Sequence, residues 1–286
     1  MARVDVYVER GSKRDFAVAL AWPGWARSGR DEATALEALL ASAPRYAKVV
    51  SRARLGFTPP RTLSDLRVVE RLQGNATTDF GAPGAEPEAD RAPVDTAELR
   101  RLATLIEVAW RALDDTAKAA RGKALARGPR GGGRSLEAIL RHVREAEGGY
   151  LSALGWKLAT EAKGEEALVK ETRRAVLEGL AASARGEIPA KGPRGGVRWQ
   201  PRRFARRLAW HAVDHAWEIE DRRRVGSAAS EKRSTASTTR RWRGRVRSPL
   251  VPETPRRSDR TEDMDAAESS RHGTQLLSLL LKEQFD

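Results

Sequence analysis

Apolar and polar positions alternate at the start of the chain. In VDVYVER, Val4, Val6 and Val8 fall on one side of an extended segment and Asp5, Tyr7 and Glu9 on the other, which is the period of a β-strand. GSKR reads as a turn and DFAVALAW as a second strand, so the two predict a hairpin. WPGWARSGR is a loop punctuated by Gly and Pro. The period then becomes helical: DEATALEALLASAPRYAKVV lines up Ala35, Leu36, Leu39, Leu40 and Ala43, with Asp31 as N-cap. RVVERL, near Leu66 to Leu72, predicts a third strand. Residues 1–73 therefore predict a small α+β unit.

Residues 74–93, GNATTDFGAPGAEPEADRAP, lose periodicity and gather Gly, Ala, Pro and acidic residues, the composition of a linker. Residues 94–224 predict four helices and an all-α second unit. The first, from Asp95 or Thr96, carries Leu99, Leu102, Leu105, Ile106, Ala109 and Leu113 as its apolar stripe. The second starts near Ser135 and buries Leu136, Ile139, Val143, Ala146 and Tyr150, with His142 bordering that stripe. The third is EEALVKETRRAVLEGLAASA. The fourth opens at Pro201, whose missing N–H costs nothing in a first turn. Its inward face runs through Phe204, Leu208, His211, His215 and Ile219. Residues 225–286 are small, polar and basic at first, a composition that predicts a largely disordered tail. QLLSLLLKEQF near the end reads as one short amphipathic helix, docked or partner-binding.

Bulk composition narrows the chemistry. The 286 residues contain no cysteine, so disulfides, thiolate metal ligands and cysteine nucleophiles are excluded. No apolar run approaches the roughly 18 residues needed to span a bilayer, and the opening lacks the apolar core of a signal peptide. A cytoplasmic protein without membrane contact is expected. The net charge of +14 keeps nucleic acid open as a partner. A solvated surface plus a charged tail is the favoured account of it.

The chain has four histidines, and three fall in two of the predicted helices. His211 and His215, four residues apart, stack on one helical face. If the helix of His142 faces them, the three rings meet around one metal ion. Neutral imidazole suits zinc, nickel, iron and copper. Three protein ligands leave a position for water or substrate, the pattern of a catalytic site. The alternative is a buried pair satisfied by hydrogen bonds. A zincin site would need Glu after the first histidine, where Ala212 stands. No turn for a serine nucleophile is present. Asp214, Glu218 and Glu145 can orient a ligand ring or simply be solvated helix charges. Trp210, Trp217 and Tyr150 flank the pair as packing or pocket. The Gly-rich PRGGGR and GPRGGVR read as loops, since neither has the phosphate-binding form.

HVREAEGGYL followed by HAVDHAWEIEDR resembles the DinB-like proteins, a family that includes the YfiT-like metalloenzymes. The similarity covers about residues 94–224 and matches all three histidine positions in order. It implies a bacterial four-helix bundle with a divalent metal, most often nickel or zinc, on His142, His211 and His215. It also implies a low-molecular-weight thiol cofactor in some members, and a small-molecule substrate of a thiol-dependent transferase, isomerase or hydrolase. VYVERGSKRDFAVALAWPGWARSGRDEATALEALL is similar, more weakly, to HicB-type antitoxin domains; no catalytic residue carries over from it. The alternative expectation is a non-catalytic regulatory protein whose HicB-like unit contacts a partner or nucleic acid. A homodimer remains open in either case.

Overall fold

The computed structural model describes residues 3–126 and 133–240, with side chains of the last helix described as far as Arg223. The alternating opening forms β1 (Val4–Arg10), and β2 (Asp15–Ala19) completes the hairpin, with Val6 opposite Ala19 and Arg10 opposite Asp15. The loop that follows contains a strand the hydrophobic pattern does not announce. This β3 (Ala26–Gly29) pairs antiparallel with β2. Its sequence, ARSG, has no β-branched or aromatic side chain, so the ladder holds it and propensity does not. α1 (Glu32–Val50) begins on a reciprocal cap in which Asp31 accepts from the Thr34 amide at 2.9 Å and the Thr34 hydroxyl accepts from the Asp31 amide at 3.2 Å. The chain then crosses back, and β4 (Leu66–Gln73) lies parallel to β1, giving the sheet order β3-β2-β1-β4.

Both faces of this sheet are covered. Val6, Ala17 and Ala19 pack with Ala35, Leu39 and Ala43 of α1. On the alternate positions, Tyr7, Phe16, Val18 and Ala26 meet Ala82 and Trp210. The expected linker supplies part of that second cover. It holds a short helix, α2 (Ala76–Phe80), and buries Thr78, Ala82 and Asp90. Glu9 is buried beneath it. The Glu9 carboxylate accepts from the Thr78 hydroxyl and from the amides of Gly84 and Ala85, the latter two at 3.0 Å. A buried charge needs such donors. Here most of them are main-chain groups, which composition does not reveal. Residues 74–93 are thus a packed strap.

Four long helices follow: α3 (Thr96–Ala120), α4 (Leu136–Leu154), α5 (Glu165–Ala184) and α6 (Pro201–Arg240). α3, α4 and α6 start where the sequence predicts, while α5 follows Gly164 without a side-chain cap. Asp95 accepts from the Glu98 amide at 2.8 Å, Ser135 from the Ala138 amide at 3.2 Å, and Pro201 is the first residue of α6. α4 ends on Gly155 in a left-handed conformation. α6 packs on α3, α4 and α5. The expected inward stripe, Phe204, Leu208, His211, His215 and Ile219, is buried. So are Ala205, Ala209, Trp210, Val213 and Trp217 on other sides of the helix, because the N-terminal unit lies against them. At Gly24 (φ +97°) a Cβ would stand 3.3 Å from the Ala209 carbonyl oxygen, so the PGW loop sits directly on α6.

One hydrophobic core runs across the expected boundaries, joining Val6, Trp25 and Tyr46 to Leu102, Phe204 and Val213. Trp25 is its largest fully buried side chain. Its indole donates to the Ser42 hydroxyl at 2.9 Å and its ring stacks on Tyr46 at 5.6 Å. α6 continues to Arg240, so residues 225–240 are helical where the sequence predicts a tail without order. The rest of that tail, including QLLSLLLKEQF, lies outside the described residues. Among the described residues no helix is long and apolar enough to cross a membrane.

Candidate metal centre

α4 and α6 face each other, and their histidines converge. The ring centroids of His142 lie 5.1 Å from His211 and 5.2 Å from His215, and those of His211 and His215 are 4.6 Å apart. One ring nitrogen from each histidine lies within 4.8 Å of the other two, close enough to hold one metal ion. Zinc–nitrogen bonds of about 2.1 Å at tetrahedral angles set nitrogens about 3.4 Å apart. The His211 and His215 Nε2 atoms, at 3.1 Å, are already near that spacing. His142 is the more exposed of the three.

The hydrogen-bond pattern tests whether a cation fits. His215 Nδ1 lies 2.8 Å from Glu218 Oε2. An ionised carboxylate only accepts, so a proton sits on Nδ1, and in the neutral form of the ring the lone pair is at Nε2. That lone pair faces His211 Nε2. If His211 carries its proton there, its buried Nδ1 is an acceptor without a donor. If the proton is on Nδ1, that N–H is orphaned and two lone pairs oppose each other. In both tautomers the partners leave an atom unsatisfied, and His211 Nδ1 has no hydrogen-bond partner. A cation accepting the Nε2 lone pairs is an alternative to the hydrogen bond between the two Nε2 atoms, and in either arrangement His211 Nδ1 keeps no partner. Burial, with His215 and then Arg134 adding to it, pushes His142 down to about 3. Burial holds His211 well below the ordinary imidazole value, with His215 and His142 next in effect. These two rings stay neutral where a free imidazole is charged, and a metal needs neutral rings.

Of the carboxylates weighed as orienting groups, only Glu218 reaches a histidine. Asp214 turns to Arg27 at 3.3 Å, and Glu145 stays exposed beside Arg141 and Arg144. Burial alone would raise the Glu218 carboxyl. His215 and Arg222 outweigh it and hold the group down to about 2. Tyr150 sets its ring edge-on to His211 at 5.8 Å, and its hydroxyl accepts from Arg207 Nε at 3.2 Å. Trp210 stacks beside His211 at 5.9 Å and packs edge-on with Phe16 of the sheet. Trp217 lies away from the rings, carrying Arg27 at 3.9 Å and Arg45 at 4.9 Å against its indole. GPRGGVR is a turn closed by the Lys191–Val197 bridge, and PRGGGR falls partly outside the described residues.

Two residues of the site are absent from the sequence reading. Arg222 donates to Glu218 at 2.8 Å, and Arg207 borders Tyr150 and His211. The signal was spacing. Arg222 is one turn beyond Glu218 and Arg207 one turn before His211, so both extend the histidine stripe. Comparison with family models, curated proteins and solved structures finds no match to this chain.

Proposed function

We propose that this chain is a DinB-like metal-binding protein. In this reading α3 to α6 form a four-helix bundle, and His142, His211 and His215 hold one divalent metal, nickel or zinc, at a centre with an open position. What carries it is the convergence of three imidazoles from two facing helices, one nitrogen of each within 4.8 Å of the other two. Three protein ligands favour a catalytic over a structural centre. When bound, a divalent metal supplies Lewis acidity that lowers the pKa of a water or a low-molecular-weight thiol. The chain's own residues do the rest. Glu218 fixes the tautomer of His215. Burial keeps His142 and His211 neutral. Tyr150 and Arg207 border the His211 side, where a small-molecule substrate would meet a hydroxyl and a guanidinium. The N-terminal unit, read as HicB-like, serves as a wall that holds α6 in place.

Elemental analysis of protein purified without a chelating tag tests this reading. About one metal per chain is expected in the unaltered protein, and little in His215→Ala. Equal and negligible metal in both would sink it. Turnover of electrophilic substrates with a panel of low-molecular-weight thiols then tests the chemistry.

A further inference from the structure

We infer that Glu218 and Arg222 are positioning residues: together they decide which nitrogen of His215 faces the other two rings, and Arg222 sets that choice from the connection between α3 and α4. The consequence for metal affinity rests on the metal-binding reading; the tautomer itself does not.

Glu218 Oε2 is the group on His215 Nδ1, and an acceptor there fixes the proton on that nitrogen. The other oxygen, Oε1, accepts from Arg222 Nη1 at 2.8 Å. Arg222 is itself buried and pinned at further points. Its Nε donates to the Ala126 carbonyl at 2.8 Å and its Nη2 to the Arg134 carbonyl at 2.9 Å, while the Ala126 amide donates to the Arg222 carbonyl at 3.1 Å. The planar guanidinium presents its donors in a fixed fork. Once two are committed to carbonyls of the α3–α4 connection, the third direction, toward Glu218, follows. The connection therefore orients Arg222, Arg222 orients the carboxylate, and the carboxylate orients the ring.

His211 has no counterpart to this chain of contacts. Its Nδ1 is buried without a partner, and apart from the contact of its Nε2 with His215 its ring is placed by packing against Trp210 and Tyr150. His215 is thus the fixed ligand, to which His142 and His211 adjust.

The first measurement uses the unaltered, metal-free protein. Nitrogen-15 NMR of the histidine rings at neutral pH should show His215 protonated at Nδ1 and bare at Nε2. A proton on Nε2 instead would overturn the inference. Glu218→Gln should give a mixture of tautomers, and zinc affinity, measured by competition with a chelator, should fall roughly 10- to 100-fold. Arg222→Lys, which keeps the charge and loses the fork, should shift both readouts in the same direction by less. Unchanged tautomers in both variants would remove the relay. Should Glu218→Gln fail to fold, the unaltered protein and Arg222→Lys still decide. If the unaltered protein binds neither zinc nor nickel, the metal reading fails, and the tautomers alone decide the positioning.

Discussion

Two polar clusters lie within a few turns of each other on α6, and they differ in how completely they are buried and satisfied. Arg206 and Asp90 form the first. The Arg206 guanidinium pairs with the Asp90 carboxylate and donates to the carbonyls of Ala19 and Leu20, each at 3.0 Å. Neither residue has a buried side-chain atom left over. The second cluster, from His211 to Arg222, is less deeply placed, since the Glu218 side chain is 34% exposed, and it leaves His211 Nδ1 without a partner. Buried polar groups are nearly always satisfied, so an exception asks for a reason. The complete cluster ties sheet, strap and helix together and needs nothing more. The incomplete one holds one nitrogen of each of three imidazoles within 4.8 Å of the other two.

The strongest way to break this comparison is at the complete cluster. Asp90→Ala leaves a guanidinium buried without its counter-charge, and removing one partner of a buried pair costs about 3–5 kcal/mol. The double change Asp90→Leu with Arg206→Met should cost much less, because no charge is stranded. Urea denaturation of the three proteins measures both. If Asp90→Ala lost less than about 1 kcal/mol, the pair would not be the structural clamp described.

Glu147 sharpens the contrast from between the two extremes. It is a buried carboxyl on α4 whose one hydrogen-bonded side-chain partner is the Trp110 indole, at 2.6 Å. Burial raises it to about 7, against the pull of the Trp110 hydrogen bond and of Arg173. A carboxyl held above its unfolded value stabilises the protein fully below that value. The contribution is lost as pH rises through the folded one. Stability should therefore fall between about pH 4.5 and 7, and the shift corresponds to about 3 kcal/mol. Glu147→Gln keeps an acceptor for the indole and removes the titration. The difference between the two proteins, followed by denaturation across that window, should flatten above pH 7. A difference that does not change with pH would show that Glu147 does not titrate there.

Metal should act on the second cluster alone. Zinc supplied at about 100 times its dissociation constant should raise stability by about 2.7 kcal/mol. A chelator should reverse the gain. Asp90→Ala, being remote from the rings, should respond to zinc by the same increment from a lower base. No response in the unaltered protein would count against a metal at the three rings.

How much of this was readable in the chain depends on what holds each part. The helix starts at Asp95, Ser135 and Pro201 and the burial of His211 and His215 follow from local periodicity and capping, so the sequence states them. β3 does not appear, because ARSG is held by its neighbour β2. The strap reads as a linker because the donors that receive Glu9 are largely backbone amides of Gly84 and Ala85. The second buried side of α6 was invisible for a related reason: Trp210 and Val213 are apolar off the main stripe, and only the N-terminal unit explains them. Arg222 stood in the right register but looked like one basic residue among many.

The smallest expected effect is the most discriminating. In metal-free protein, His211→Leu deletes the ring whose Nδ1 is orphaned and fills the space with an apolar side chain. His215 Nε2 loses a neighbour, which costs about 1 kcal/mol, while the desolvation of the unsatisfied nitrogen, about 1–3 kcal/mol, is recovered. Some volume mismatch remains, so the stability should stay within about 1 kcal/mol of the unaltered protein. Zinc should then add nothing, because two of the three ligands cannot hold the ion as three do. Urea denaturation with and without zinc reads both. A loss of 3 kcal/mol or more without metal would mean that the histidine is held as firmly as Arg206. The two clusters would then be alike in how firmly they hold the fold.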